Sequence, residues 1–436
     1  MTRNQIQRAS IAVFFTTLSL LTSNQAQAAA GDLDSAFGQG GVVRTEFGGT
    51  DEYGFALKIQ SDGKIIVAGQ SGVYPVFHAA LARYNTNGRL DRSFGLGGKA
   101  TAALDAGGDG VQAIALQSDG KIVTAGSVIH DNFTLAFSVG RFNADGTLDS
   151  TFGNNGSVQT TFGDPAAEGN DVVIQSDSKI VVVGTSGAGS YSALNDFVLA
   201  RYNSDGSLDQ TFGTNGTVAT HFPGMFNTGS TAFAAALQRD GKLVVAGTYV
   251  NESTPNAFAL ARYNNDGSLD NSFGNAGLVT TRIGGGNAFA FGVVVQRDGR
   301  IVLAGYSDGE DHDFALACYN TNGTLDSTFG NAGITTTNFS TNSDDIAYAL
   351  AVGRDGTLLV GGRVGQYPVF DLGVARYTSN GQLDQSFGVG GKVMTDLGNE
   401  ELGYGVGVQR DGKVLLSGAI FNGSTFDFGL VRYLGQ

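Results

Sequence analysis

The phrase QSDGKIIVAG, which begins at Gln60, is written seven times along this chain. It returns as QSDGKIVTAG from Gln117, QSDSKIVVVG from Gln175, QRDGKLVVAG from Gln238, QRDGRIVLAG from Gln296, GRDGTLLVGG from Gly353 and QRDGKVLLSG from Gln409. A second phrase, LDSAFGQGG at Leu33, recurs at Leu90, Leu148, Leu208, Leu269, Leu325 and Leu383, in steps of 57, 58, 60, 61, 56 and 58 residues. A third, LARYN at Leu81, returns as VGRFN (Val139), LARYN (Leu199 and Leu260), LACYN (Leu316), VARYT (Val374) and LVRYL (Leu430). A chain with this period is built from copies of one small unit, each burying an apolar face against its neighbours.

Every unit holds four short runs with strand character. In the first they are GFALKIQ (Gly54 to Gln60), KIIVAGQ (Lys64 to Gln70), HAALARYN (His78 to Asn85) and GKATAAL (Gly98 to Leu104). They are rich in β-branched and aromatic residues, turn residues separate them, and no helical period interrupts them. The composition agrees: 67 Gly against 5 Pro suits many tight turns, and 41% hydrophobic residues suffice for a large core. The Asp-Gly pair between the first two runs predicts a tight two-residue hairpin, a turn and not a phosphate loop. Four antiparallel strands per unit, seven times over, predict an all-β, seven-bladed β-propeller. The chain opens on the last strand of a unit and closes on the third. The N-terminal strand, about Gly41 to Phe47, is therefore expected to complete the last blade, begun by Tyr404, and so to close the ring.

The phrases LDxxFGxxG, DGKIxVAG and LARYN resemble the delta-60 repeat of exported bacterial proteins, over about Asp32 to Tyr433. The strand order is similar to that of NHL-type propellers. The resemblance implies a seven-bladed propeller without an assigned activity and brings no catalytic motif. Long members carry appended surface-sorting or adhesion domains, and none is read after the last repeat here.

The first 30 residues read differently. Arg3 and Arg8 form a basic start, Ile11 to Leu21 an apolar run and Ala26 to Ala30 a small-residue end, the layout of a secretory signal peptide cut after Ala28 or Ala30. Residues 1–30 are thus expected to be removed and 31–436 to form the propeller, in the periplasm or outside the cell. About eleven apolar residues fall short of the ~20 that cross a bilayer, so membrane insertion is not expected. With Cys318 the single cysteine, no disulfide can form within one chain. A net charge of -14 argues against nucleic acid and anionic membranes as partners, since both would repel it. A monomer is expected.

Residues that recur in every copy belong to the framework. The Phe of LDxxFG (Phe37, Phe94, Phe152, Phe212, Phe273, Phe329, Phe387) is expected between blades. The Asp of that phrase and the Arg of LARYN are expected to pair, with Cys318 replacing Arg in the fifth unit as a loose framework position and not a nucleophile. Function belongs where copies differ, on the face formed by the second-to-third and fourth-to-first connections. Ten residues before each hairpin Asp stand Glu52, Asp109, Ala167, Ser230, Ala288, Asp345 and Glu401, and Glu168 misses that frame by one. The carboxylates Glu52, Asp109, Glu168, Asp345 and Glu401 are expected around the mouth of the central channel, as ligand-binding residues and as holders of a cation such as calcium. The histidines His78, His130, His221 and His312 show no metal-ligand spacing, and no Cys/His nucleophile pair is evident. The expected role is a secreted binding or scaffold module that takes a protein or glycan partner on its variable-loop face. The alternative is an exported hydrolase or lyase with a divalent cation at the channel mouth.

Overall fold

The computed structural model describes residues 28–48, 51–73, 76–104, 108–130, 134–187, 195–224 and 228–436, without the side chain of Asp109. The apolar run expected to belong to a signal peptide, within residues 1–27, lies outside this set.

Seven four-stranded antiparallel sheets form a β-propeller, and no helix is assigned among the described residues. The innermost strands of blades one to seven are Asp51–Ile59, Asp109–Leu116, Ala166–Ile174, Thr228–Leu237, Ala288–Val295, Ile346–Val352 and Glu401–Val408. In blade seven the outermost strand is Val42–Thr45, from the other end of the chain, paired with Phe428–Val431. The clasp is pinned outside the ladder as well. Leu33 bridges to Tyr433, and the Arg432 guanidinium lies 2.8 Å from the Asp34 carboxylate. The ring therefore has no open edge between its first and last blades.

The hairpins between first and second strands are longer than composition suggests. Gly63 N donates to Gln60 O at 2.9 Å and Gln60 N to Lys64 O at 2.8 Å. The connection therefore holds three residues, a tight turn followed by one left-handed position, and not the expected two-residue loop. Only the glycine has positive φ, +87° at Gly63. The third copy puts Ser178 there at φ +67°, so the position tolerates a non-glycine at some strain. The Asp recurs because its side chain caps the turn: Asp62 Oδ1 accepts from Lys64 N at 3.0 Å.

Blades are tied by two repeated devices. All seven LDxxFG phenylalanines are buried in the seams, each contributing about 2–3 kcal/mol by removal from water. Arg83, Arg141, Arg201, Arg262, Arg376 and Arg432 lie over six of these rings at 4.2–4.7 Å. Each also pairs at 2.7–2.8 Å with its Asp and donates to a carbonyl across the next seam, as Arg262 does to Thr321 O at 2.6 Å. Burial alone would lift Asp91, Asp149, Asp209 and Asp270, but hydrogen bonds from lysine and hydroxyl groups and the arginine charge outweigh it and hold them well below the usual carboxylate range. In blade five, where Cys318 replaces Arg, Arg300 of the hairpin reaches Asp326 at 2.9 Å instead. Cys318 is fully buried, and burial pushes its thiol up to about 12, so it is no nucleophile near neutral pH.

The second device is a hydroxyl pair. Tyr84, Tyr202, Tyr263, Tyr319, Tyr377 and Tyr433 each hydrogen-bond a threonine on the outer strand of the preceding blade, at 2.7–2.9 Å. At the seam between blades one and two, Phe142 stands for the tyrosine and packs in a cluster with Ala102, which stands for the threonine. Both hydroxyls are missing together, so no polar atom is stranded there.

Candidate functional site: a bulged channel and its mouth

Each inner strand carries one register shift at the same place in the repeat: Tyr53/Ala56, Val111/Ala113, Gly169/Asp171, Ala232/Ala234, Ala290/Gly292, Ala347/Ala349 and Gly403/Gly405. The bulge explains the glycine that ends every VAG-type phrase. A Cβ added at Gly247 would run into the Thr231 carbonyl oxygen, and one at Gly69 into that of Tyr53. The repeated glycine lets the second strand approach the bulged one.

The residues set out by the bulges line the central channel, a cavity of about 360 Å³ bounded by all seven inner strands. Blades four to seven and one contribute Phe233, Phe291, Tyr348, Tyr404 and Phe55, whose rings follow each other at 4.7, 5.4, 5.3 and 4.9 Å. Blades two and three contribute Gln112 and Asn170, so the arc is aromatic on one side and amide on the other. Asn170 Nδ2 donates to Ala232 O at 2.8 Å, which fixes its side chain. Towards the hairpin face lie Lys58 and Asp171; Asp171 accepts from Val172 N and Ala235 N, both at 2.8 Å. Burial pushes its carboxyl up, against the pull of Lys58.

On the variable-loop side the ladder continues beyond the bulges as a second layer. Tyr53 pairs across the ladder with Gln70, Gly110 with Ser127, Glu168 with Thr185, Thr231 with Thr248, Phe289 with Tyr306, Ile346 with Arg363 and Leu402 with Ala419. One frame position thus reads amide, hydroxyl, hydroxyl, hydroxyl, phenol, guanidinium and methyl around the ring. Above the amide side of the arc opens a pocket of about 230 Å³ lined by Gln70, Gln112, Ser127, Glu168 and Asn170 together with Phe77, Ile129 and Leu135. Donors, acceptors and apolar surface alternate there, the mixture that a polar ligand needs.

The five carboxylates chosen from sequence do not share one environment. Glu168 lines this pocket. Asp109 opens its inner strand, with its side chain outside the described set. Glu52, Asp345 and Glu401 are fully buried and turn to the loops that deliver their strands. Glu52 accepts from Phe47 N at 2.7 Å, Asp345 from Phe339 N at 2.7 Å, and Glu401 from Leu397 N at 3.2 Å and Asn399 N at 3.3 Å. Burial pushes Glu52 and Glu401 up to about 7 and Asp345 up to about 6. Among the described residues one group of three carboxylates brings oxygens within 4.8 Å of one another, Asp371, Asp396 and Glu401, chemistry suited to a divalent cation such as calcium. Of the sequence-chosen residues it contains Glu401 alone. No histidine lines either cavity among the described residues. His221 pairs with Asp196 at 2.9 Å, and His312 lies between Asp308 and Asp344 at 3.2 and 3.1 Å. The channel ring stands seven residues before each hairpin Asp and the mouth layer eight after it, so the same frame held both.

Six stretches, residues 60–94, 117–152, 175–212, 238–273, 296–329 and 353–387, match a family model described as "Domain of unknown function (DUF5122) beta-propeller". No curated protein matches the chain. Among solved structures it is similar to a catalytically inactive virginiamycin B lyase from Staphylococcus aureus with quinupristin, at 13% identity over 90% of this chain and 99% of that chain, TM-score 0.53. It is also similar to the polysaccharide lyase Uly1, at 12% identity over 88% and 90%, TM-score 0.52. A PL25 ulvan lyase resembles it at 11% identity over 90% and 96%, TM-score 0.51. At such identities the likeness concerns the fold. The chain is a seven-bladed propeller, and six of its repeats match the model of the DUF5122 beta-propeller.

Proposed function

We propose that the protein is an exported binding module that takes a glycan chain at the variable-loop mouth of its channel. One observation carries the reading: the framework repeats almost unchanged, yet one end of the channel opens into a pocket lined by Gln70, Gln112, Ser127, Glu168 and Asn170, at repeat positions that the blades fill differently. Amides, hydroxyls and one carboxylate next to aromatic rings suit sugar hydroxyls and the apolar faces of pyranose rings. Isothermal titration of residues 29–436 against a panel of neutral and acidic oligosaccharides tests it. Gln112→Ala and Asn170→Ala should each weaken a binding oligosaccharide about tenfold, the worth of one lost hydrogen bond in a closed site. No binding by any oligosaccharide, or full affinity in both variants, would overturn the reading.

The reading of residues 1–30 as a leader supports export, and the contacts that follow it bear on the place of the cut. Ala29 N donates to Asp32 at 2.7 Å, Gly388 N donates to Ala30 O at 2.8 Å, and Gly31 N donates to Leu434 O at 2.8 Å. Cleavage after Ala28 keeps all three contacts, whereas cleavage after Ala30 removes the first two. The exported protein should therefore begin at Ala29 on N-terminal sequencing, and recovery of the intact leader would refute this.

A further inference from the structure

One cation on the variable-loop side of the bulges pairs with no carboxylate among the described residues. Arg363 stands on the second strand of blade six, opposite Ile346 and Leu372. Its guanidinium carbon lies 4.1 Å from the centre of the Phe370 ring, and its Nε is buried without a hydrogen-bond partner. No other lysine, arginine or histidine nitrogen on a second strand is left in this state among the described residues. The six framework arginines each have a carboxylate, and Arg300 has two. The chain carries 40 Asp and Glu against 26 Lys and Arg, so a lone guanidinium does not reflect a shortage of acids. Leaving a part-buried charge unpaired costs folding free energy.

Two phenols that line the channel belong to the adjoining inner strands of blades six and seven. Tyr348 and Tyr404, set out by the bulges of blades six and seven, have ring centroids 5.3 Å apart. Unlike the six seam tyrosines, neither makes a hydrogen bond to a described residue through its hydroxyl. Burial raises both above the ordinary phenol range, and the charge on Arg363 opposes that rise in each. Glu400 also acts on Tyr404, less strongly than Arg363 does.

We propose that Arg363, with the hydroxyls of Tyr348 and Tyr404, receives a carboxylate carried by the ligand, so that the glycan of this mouth is a uronate-containing chain. The guanidinium fork matches a carboxylate with two parallel hydrogen bonds, the phenols add donors, and Phe370 holds the fork's plane. The inference rests on the glycan-binding reading, and two probes separate them. An oligogalacturonate and its methyl ester share the sugar chain and differ in the charge and one methyl group on each carboxyl. Wild-type protein should bind the acid at least about tenfold more tightly than the ester, and Arg363→Gln should abolish that preference. Arg363→Lys should restore part of it, since charge survives and the fork does not.

If Arg363→Gln leaves the acid-to-ester ratio unchanged while Gln112→Ala weakens both sugars, the anion site is wrong and the mouth reading stands. The second probe is sodium glucuronate against sodium chloride at equal ionic strength, read by thermal melting. Glucuronate should raise the wild-type melting temperature and leave Arg363→Gln unmoved. A shift with glucuronate and no binding of either oligosaccharide would keep the anion site and remove the glycan chain. No shift, or the same shift in Arg363→Gln, overturns the anion site.

Discussion

Replacing Glu52 by Gln should stabilise this protein at alkaline pH and do little near pH 4.5. Glu52 is fully buried; its Oε1 accepts from Phe47 N at 2.7 Å, and its Oε2 has no partner. Burial, with a smaller push from Asp427 and Glu46, lifts its carboxyl from 4.5 to about 7 in the folded chain. For an acid whose folded value is raised, the stabilising contribution is complete below the unfolded value and is lost as pH rises through the folded one. A rise of this size corresponds to about 3 kcal/mol of penalty on the charged form at pH 8. Gln keeps the acceptor for Phe47 N and removes the charge. Guanidinium unfolding of Glu52→Gln should then show a gain of about 2–3 kcal/mol at pH 8 that shrinks towards zero near pH 4.5. Over some 400 residues the same gain moves the melting temperature by about 3 °C. Glu401, also pushed up to about 7, accepts through both oxygens, so Gln there loses one acceptor and should gain less. A Glu52→Gln protein that is less stable at pH 8, or whose change is the same at both pH values, would refute the reasoning.

Two further predictions concern the repeat itself. Gly247→Ala should cost about 3 kcal/mol or more in thermal or chemical unfolding, because the new Cβ meets the backbone carbonyl of Thr231 and not a movable side chain; Gly285→Ala, with nothing within 4 Å and no positive φ, should be near neutral. At the seam of blades one and two, Phe142→Tyr should cost about 1–3 kcal/mol by burying a hydroxyl opposite Ala102. Ala102→Thr in the same chain should recover most of that loss, and additive effects in the double-mutant cycle would refute the pairing.

The framework was legible because repetition marks it. A phenylalanine, an aspartate and an arginine at fixed places in the units have one physical reading, a seam that must be packed the same way at each blade. Even the exception at Cys318 carried its compensation in view, since an arginine, Arg300, stands at the hairpin-lysine position in that copy alone, Thr357 being the other departure there. Turn length was not legible. Asp-Gly serves two-residue and three-residue hairpins alike, and the choice rests on how the flanking strands pair. The carboxylates found by counting ten residues back do open the inner strands, yet Glu52, Asp345 and Glu401 turn into the loops.

The ring of Phe55, Gln112, Asn170, Phe233, Phe291, Tyr348 and Tyr404 stood in the same frame and gave no signal of its own. Strand alternation offers a side chain only two directions, and in a propeller both are seams. The bulge adds a third, towards the axis, and a bulge is a backbone event that parity cannot reveal. The amino-acid order by itself determined the number of blades, the four-strand unit and the closure of the ring by its own N-terminus, because these follow from period and from where the repeats begin and end. Only the tertiary structure decided which residues face the channel and which guanidinium stands without a partner, because both depend on seven sheets converging on one axis.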